Sequence, residues 1–237
     1  MGCSNSKVAA MKDEEKTKEE LKQAKALKDV MSDYKFTITN EEKEQLNKKI
    51  IIFLIGGPGS GKGTQSERII KDFDTGYMSA GDLLRKESDK GTSIGKFILE
   101  QMKQGAIVPQ EIILNLLKDE ILSQNKKLYL IDGFPRKTDQ AETFESQICQ
   151  CKCALFLDVP DDILINRLIK RSETSGRADD NPETIKKRIK TFHDVSEQVF
   201  NHFDKLGRAV KIDGNRDPDV VYEEVHNLIQ KILDENQ

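Results

Sequence analysis

Five glycines gathered around one lysine, directly after six uninterrupted apolar residues, constrain this chain more than any other feature. The stretch is Ile50 to Gln65, IIIFLIGGPGSGKGTQ. Ile50 to Ile55 are mostly β-branched or aromatic, which predicts a strand buried on both faces. Gly56, Gly57, Gly59, Gly61 and Gly63 place no Cβ in the way of the backbone N–H groups, so the turn can form a nest for an anion. Thr64 to Lys71 predicts a helix whose N-terminal dipole adds to that pull. Lys62 supplies a mobile point charge for outer phosphates. Gly56, Gly61 and Lys62 meet the pattern GxxxxGK, but Gly63 stands where the general motif has Ser or Thr, and Thr64 lies one place further on. The flanking strand and helix separate a phosphate cradle from a glycine-rich turn with a chance lysine.

Downstream, apolar runs and helical periodicities alternate. Tyr77 to Ser79, Leu128 to Ile131, Ala154 to Leu157 and Ala209 to Ile212 predict four more strands. Helices are predicted between them, including a long one over Glu183 to Leu206 and a closing one over Asp219 to Leu233. Such alternation specifies an α/β fold, a parallel five-stranded sheet covered by helices on both faces. Ligands of these sheets sit beyond the carboxyl ends of the strands, where Gly56 to Gly63 lies. The 237 residues suit one domain, 50–237, behind a charged extension, 1–49. Residues 8–34 read as a solvated helix, a spacer or a partner-binding arm over 8–35, and 37–49 as a polar linker.

A net charge of −3 argues against nucleic acid as a partner. No apolar run approaches the ~20 residues that span a bilayer. The start, Met1-Gly2-Cys3-Ser4-Asn5-Ser6, fits the myristoylation pattern with Gly2 as acceptor, and Cys3 beside it suits a palmitoyl group as the second hold. Acylation would put the protein on the cytoplasmic side of a membrane; without it, the expectation is cytoplasm. Cys149, Cys151 and Cys153 alternate in CQCKC with no His nearby, which favours buried thiols over a zinc site.

Asp132 follows the strand LYLI, where nucleotide-binding sheets place an acid toward Mg²⁺, directly or through water. Arg85, Arg136, Arg167, Arg171, Arg177 and Arg188 fall in short polar frames (GDLLR, GFPR, RLIKR, SGRADDN), and arginine offers a fixed donor fork for phosphate oxygens. Asp179 and Asp180 follow Arg177 closely enough to hold it between ligands.

The blocks GGPGSGKGTQ, SAGDLLR, GAIVPQEI, LIDGFPR and RLIKRSETSGRADDNPETIKKR together resemble the short-form nucleoside monophosphate kinases, adenylate kinase and its close relative UMP/CMP kinase. The resemblance covers Ile50 to the C-terminus and accounts for Gly63, because this family's cradle reads GKGT. It implies transfer of the γ-phosphoryl of Mg·ATP to a nucleoside monophosphate, AMP first and CMP or UMP as alternatives. A lipid-anchored nucleotide sensor without turnover is a remoter reading. It implies ATP binding by Gly57, Pro58, Gly59, Ser60, Gly61, Lys62, Gly63, Thr64 and Arg167. The acceptor would be held by Ala80, Gly81, Leu84, Arg85, Gly105, Val108, Ile113, Gly133, Arg136 and Gln140. Lys62, Arg136, Arg171, Arg177 and Arg188 would stabilise the transferring group, the last two also touching the acceptor. Asp132 would face Mg²⁺. A mobile segment, 79–108, and a short lid, 172–180, would close the site, with no structural zinc and a monomeric core. Gln140 resembles adenylate kinases, Ala80 resembles UMP/CMP kinases.

Overall fold

The structure, a computed structural model, describes residues 36–236. The charged segment 8–34 and the acylation pattern at Gly2 and Cys3 lie outside them. From Thr37 onward the chain forms one compact unit.

Its first element corrects an expectation. Residues 40–47, read as part of a polar linker, form helix α1 (Asn40–Asn47). Thr39 caps it: the hydroxyl accepts from Glu42 N while the Glu42 carboxylate accepts from Thr39 N at 2.7 Å, a reciprocal capping box. A single apolar residue, Leu46, is fully buried and pins the helix to the core. Lys43 Nζ donates to the Ser146 carbonyl and Lys49 Nζ to that of Lys126, both at 2.8 Å.

Strand β1 (Ile50–Gly56) is buried from Ile50 to Ile55. It is central in a parallel sheet with β2 (Thr75–Ser79), β3 (Leu128–Asp132), β4 (Cys151–Asp158) and β5 (Ala209–Asp213), in the order β2-β3-β1-β4-β5. The helices are α2 (Lys62–Asp72), α3 (Ala80–Ser88), α4 (Ser93–Lys103), α5 (Gln110–Ser123), α6 (Thr138–Gln147), α7 (Asp161–Ser172), α8 (Pro182–Thr191), α9 (Glu197–Lys205) and α10 (Pro218–Asp234). On one face Ile50, Ile52 and Leu54 pack with Ile69 of α2 and with Val221, Val225 and Ile229 of α10. On the other, Phe53 meets Phe134, Phe144 of α6 and Phe203 of α9 at centroid distances of 5.8, 5.1 and 5.8 Å. Each such buried side chain contributes ~1.5–3 kcal/mol. The six-residue apolar run is therefore divided between two cores, and the doubly covered α/β sheet expected from it is the one observed. Cys149, Cys151 and Cys153 are buried free thiols.

The expected long helix over Glu183 to Leu206 is divided. A wide π turn, Phe192–Ser196, separates α8 from α9. It sets Phe192 on Phe156 at 5.9 Å and turns Thr191, Phe192 and Ser196 to the cleft above the sheet. Periodicity could not show this, because one extra residue per turn leaves the amphipathic pattern nearly unchanged.

The chain passes from β1 toward β2 and β3 on one side and reaches β4 on the other. The loops leaving the carboxyl ends of β1 and β3 therefore open a crevice at the sheet's switch point.

Candidate active site

Gly56 to Gly61 connect β1 to α2. Gly59 and Gly61 have φ of 86° and 95°, in the left-handed region where a side chain is strained. Gly61 caps α2 in that conformation, so the helix begins at Lys62, two residues before the expected Thr64. Gly57 lies against Leu164, where a Cβ would approach Cδ1 to 2.5 Å. Lys62 folds back over the loop: Nζ donates to the carbonyls of Gly56 and Gly57 at 2.9 Å each. Burial lowers its pKa to about 8, although Asp132 pulls the other way.

A cleft of about 730 Å³ opens above the loop. Pro58, Gly59, Ser60, Gly61, Lys62, Gly63, Thr64 and Arg167 form one side of its lining; Gly81, Leu84, Arg85, Gly105 and Val108 form another. Gly133, Arg136, Arg171, Arg177 and Arg188 complete it, with Asp132 at the floor. Gly57, Ala80, Ile113 and Gln140 do not line it. Ala80, Ile113 and Gln140 are buried behind the wall, and Gln140 Oε1 accepts from the Arg136 backbone N at 2.8 Å.

The guanidinium groups come from four stretches far apart in sequence. Arg85 lies on α3, Arg136 after β3, Arg171 at the end of α7 and Arg188 on α8. Burial pulls the Arg136 pKa down to about 10; Arg188 adds to the fall and Asp132 opposes it. Carboxylates hold the ring together. Arg171 donates to Asp180 through Nε at 2.8 Å and Nη2 at 2.6 Å. Arg188 Nη1 stands 2.8 Å from Asp179 and 3.1 Å from Asp180. The expectation that Asp179 and Asp180 hold Arg177 is corrected. Arg177 faces Asp82 on α3, 3.8 Å away, and the two aspartates serve its neighbours. Asp82 also pairs with Arg85 on its own helix. The reason is topological: α7 and α8 bring Arg171 and Arg188 back beside Asp180, which the spacing SGRADDN does not reveal.

Asp132 is buried, and burial raises its pKa. Oδ2 accepts the Tyr77 hydroxyl at 3.2 Å, while Oδ1 is buried without a partner. An orphaned carboxylate oxygen on the floor of a cation-lined cleft fits a metal-bound water. Tyr77, Asp82 and Asp179 also line the cleft. Residue-by-residue reading passed over Tyr77 because a tyrosine in a strand ordinarily signals packing.

A doubly wound sheet, a lysine-bearing glycine turn at its switch point and a ring of guanidinium groups define a nucleotide-phosphate-binding protein of the P-loop class. The adenylate kinase family model matches residues 54–208. Uridylate kinase of Saccharomyces cerevisiae is 46% identical over 187 residues, 77% of this chain and 92% of that protein. Adenylate kinase isoenzyme 1 of Rattus norvegicus is 43% identical over 192 residues, 80% of this chain and 99% of that one. Adenylate kinase 1 of Schistosoma mansoni is 40% identical over 190 residues, 79% and 96% respectively. The chain belongs to the adenylate kinase family and is a phosphotransferase.

Proposed function

We propose that the enzyme catalyses ATP + AMP = 2 ADP. The supporting observation is the convergence of Lys62 and five arginines, 85, 136, 171, 177 and 188, on one cleft. An acceptor phosphate is already anionic at neutral pH (second pKa about 6), so no general base is needed. What the chemistry requires is that two repelling anions be held in line and kept dry. The backbone amides from Gly59 to Thr64 and the Lys62 side chain hold the ATP phosphates, with Arg167 by the base or ribose. Arg85 and Arg136 hold the acceptor phosphate. Arg171, Arg177 and Arg188 bear on the transferring group. Mg²⁺ supplies charge neutralisation on the outer phosphates, and Asp132 is the residue that would face it through water. Segment 79–108 and lid 172–180 close over the pair.

AMP is favoured by the adenylate kinase isoenzyme 1 relative, 43% identical over nearly its whole length. Gln140 stands outside the cleft lining, where its Oε1 accepts from Arg136 N at 2.8 Å and supports the acceptor side from behind. The 46% identity to a uridylate kinase keeps UMP and CMP as the second reading. Coupled assays with ATP and each monophosphate decide it: kcat/KM is expected to be at least about tenfold higher for AMP. Equal or better turnover of UMP or CMP would reverse the assignment.

The N-terminal pattern supports a location. We propose that Gly2 carries myristate and Cys3 a palmitoyl group, which together hold the enzyme at the cytoplasmic side of a membrane. Gly2→Ala expressed in a eukaryotic cell should move from the pellet to the soluble fraction; unchanged partitioning would reject the anchor. Residues 8–35 then act as the spacer or as a contact for a protein partner.

A further inference from the structure

We propose that Tyr77 is a positioning residue for the metal-side carboxylate: its hydroxyl, donating to Oδ2 of Asp132, turns Oδ1 into the cleft. The inference rests on the reading of Asp132 as the residue facing the nucleotide's Mg²⁺.

Two independent observations carry it. First, the phenol donates to Oδ2 at 3.2 Å. Second, the other oxygen of the same carboxylate is buried with no partner at all. A buried carboxyl oxygen without a hydrogen-bond partner is costly unless it has another use. The sheet supplies the geometry. β2 pairs with β3 in parallel, Tyr77 opposite Leu130 and Ser79 opposite Asp132, so Tyr77 stands one strand over and two residues back from the carboxylate. Its ring packs against the sheet core while its hydroxyl reaches forward to the site. The Tyr77 hydroxyl has one proton, and it is the one given to Asp132. Without it, Asp132 would be free to rotate about its side-chain torsion and offer either oxygen, or neither, to a metal-bound water.

This contact differs from core packing in what it predicts. A residue that only fills space should, when altered, weaken ATP binding equally with and without metal. A residue that orients Asp132 should weaken only the metal-dependent part. The measurement is the ratio of ATP dissociation constants, in EDTA over saturating Mg²⁺, by titration calorimetry on the full chain. Tyr77→Phe is expected to lower this ratio about tenfold while the EDTA value stays within about twofold of wild type. Asp132→Asn should lower it at least as much. Added to Asp132→Asn, Tyr77→Phe should lower it no further, because the two act through one oxygen.

An unchanged ratio in Tyr77→Phe, with Asp132→Asn lowering it, overturns the role of Tyr77 and leaves Asp132 standing. No change in either variant overturns the metal-side reading itself. Equal loss with and without metal, or additive effects in the double variant, makes Tyr77 a packing residue. Should Tyr77→Phe alone fail to fold, the double variant, which removes the unpaired charge together with the donor, is compared with Asp132→Asn. Equal ratios support the proposal and a further fall rejects it.

Discussion

Arg171 grips Asp180 through two atoms at once, Nε to Oδ2 at 2.8 Å and Nη2 to Oδ1 at 2.6 Å. The same carboxylate receives Nη1 of Arg188 at 3.1 Å and the Ser175 hydroxyl at 2.9 Å, and its side chain is 1% exposed. One acid therefore sets the spacing of two guanidinium groups carried by the helices on either side of the lid. These are the groups proposed above to bear on the transferring phosphoryl, so in that proposal Asp180 sets the geometry of the charge that meets it.

Stability should follow from that pair. Burial alone would raise the Asp180 pKa, but the donors from Arg171 and Ser175 outweigh it and hold the carboxyl below its ordinary range. A lowered carboxyl pKa stabilises the fold above the unfolded value, and this is lost as pH falls through the folded one. Asp180→Asn is expected to lose about 2–3 kcal/mol near neutrality in urea unfolding. It should also show a shallower loss of stability on acidification than wild type. An unaltered acid limb would count against the role given to Asp180.

Lys62 should make ATP binding pH-dependent. With its pKa lowered to about 8 by burial, it sheds charge in mildly alkaline solution. ATP affinity is expected to fall as pH rises through that value, and Lys62→Met should bind ATP weakly with no such step. Folding stability runs the opposite way. Between about 8 and 10.5 the unfolded chain holds more protons at this site, so the Lys62 contribution to stability rises with pH. Calorimetric titrations on both sides of pH 8 test the first statement, denaturant melts the second.

Arg136 sits among the charges of Arg188, Asp132, Asp179 and Arg85, and its backbone N donates to the Gln140 amide. Arg136→Ala is expected to lower kcat by about 10²–10³-fold or more. The ATP dissociation constant should barely move. Equal damage to both would mean that Arg136 serves ATP.

Helix α1 offers a test of structure without chemistry. Leu46→Ala should cost about 2–4 kcal/mol through the cavity it leaves. Thr39→Ala should cost about 1 kcal/mol through the lost cap. Neither should alter the KM of either nucleotide. A Leu46→Ala chain as stable as wild type would return residues 40–47 to the status of a linker.

How much was legible depended on the range of each signal. β1, the glycine cradle and the α/β alternation are written locally, in runs of apolar residues and in glycines that no other chemistry requires. The capping box at Thr39 and Glu42 was legible in TNEE, but one apolar residue in the segment is too little to say that it packs. The split of α8 from α9 was hidden because a π turn costs the pattern a single residue.

Sequence alone determined the parallel sheet, the anion cradle at the end of its first strand and the set of arginines, because those follow from side-chain period, backbone freedom and fixed charge. Tertiary structure alone decided which acid holds which arginine, that Tyr77 pins one oxygen of Asp132, and that Gln140 stands behind Arg136. Tyr77 and Asp132 lie 55 positions apart, and Arg177 meets Asp82 from a different part of the chain, while even the nearer pairs, Arg171 and Arg188 with Asp180, are joined across a loop between two helices. Their partners are selected by where helices cross the sheet, a property of packing in three dimensions that no local pattern encodes.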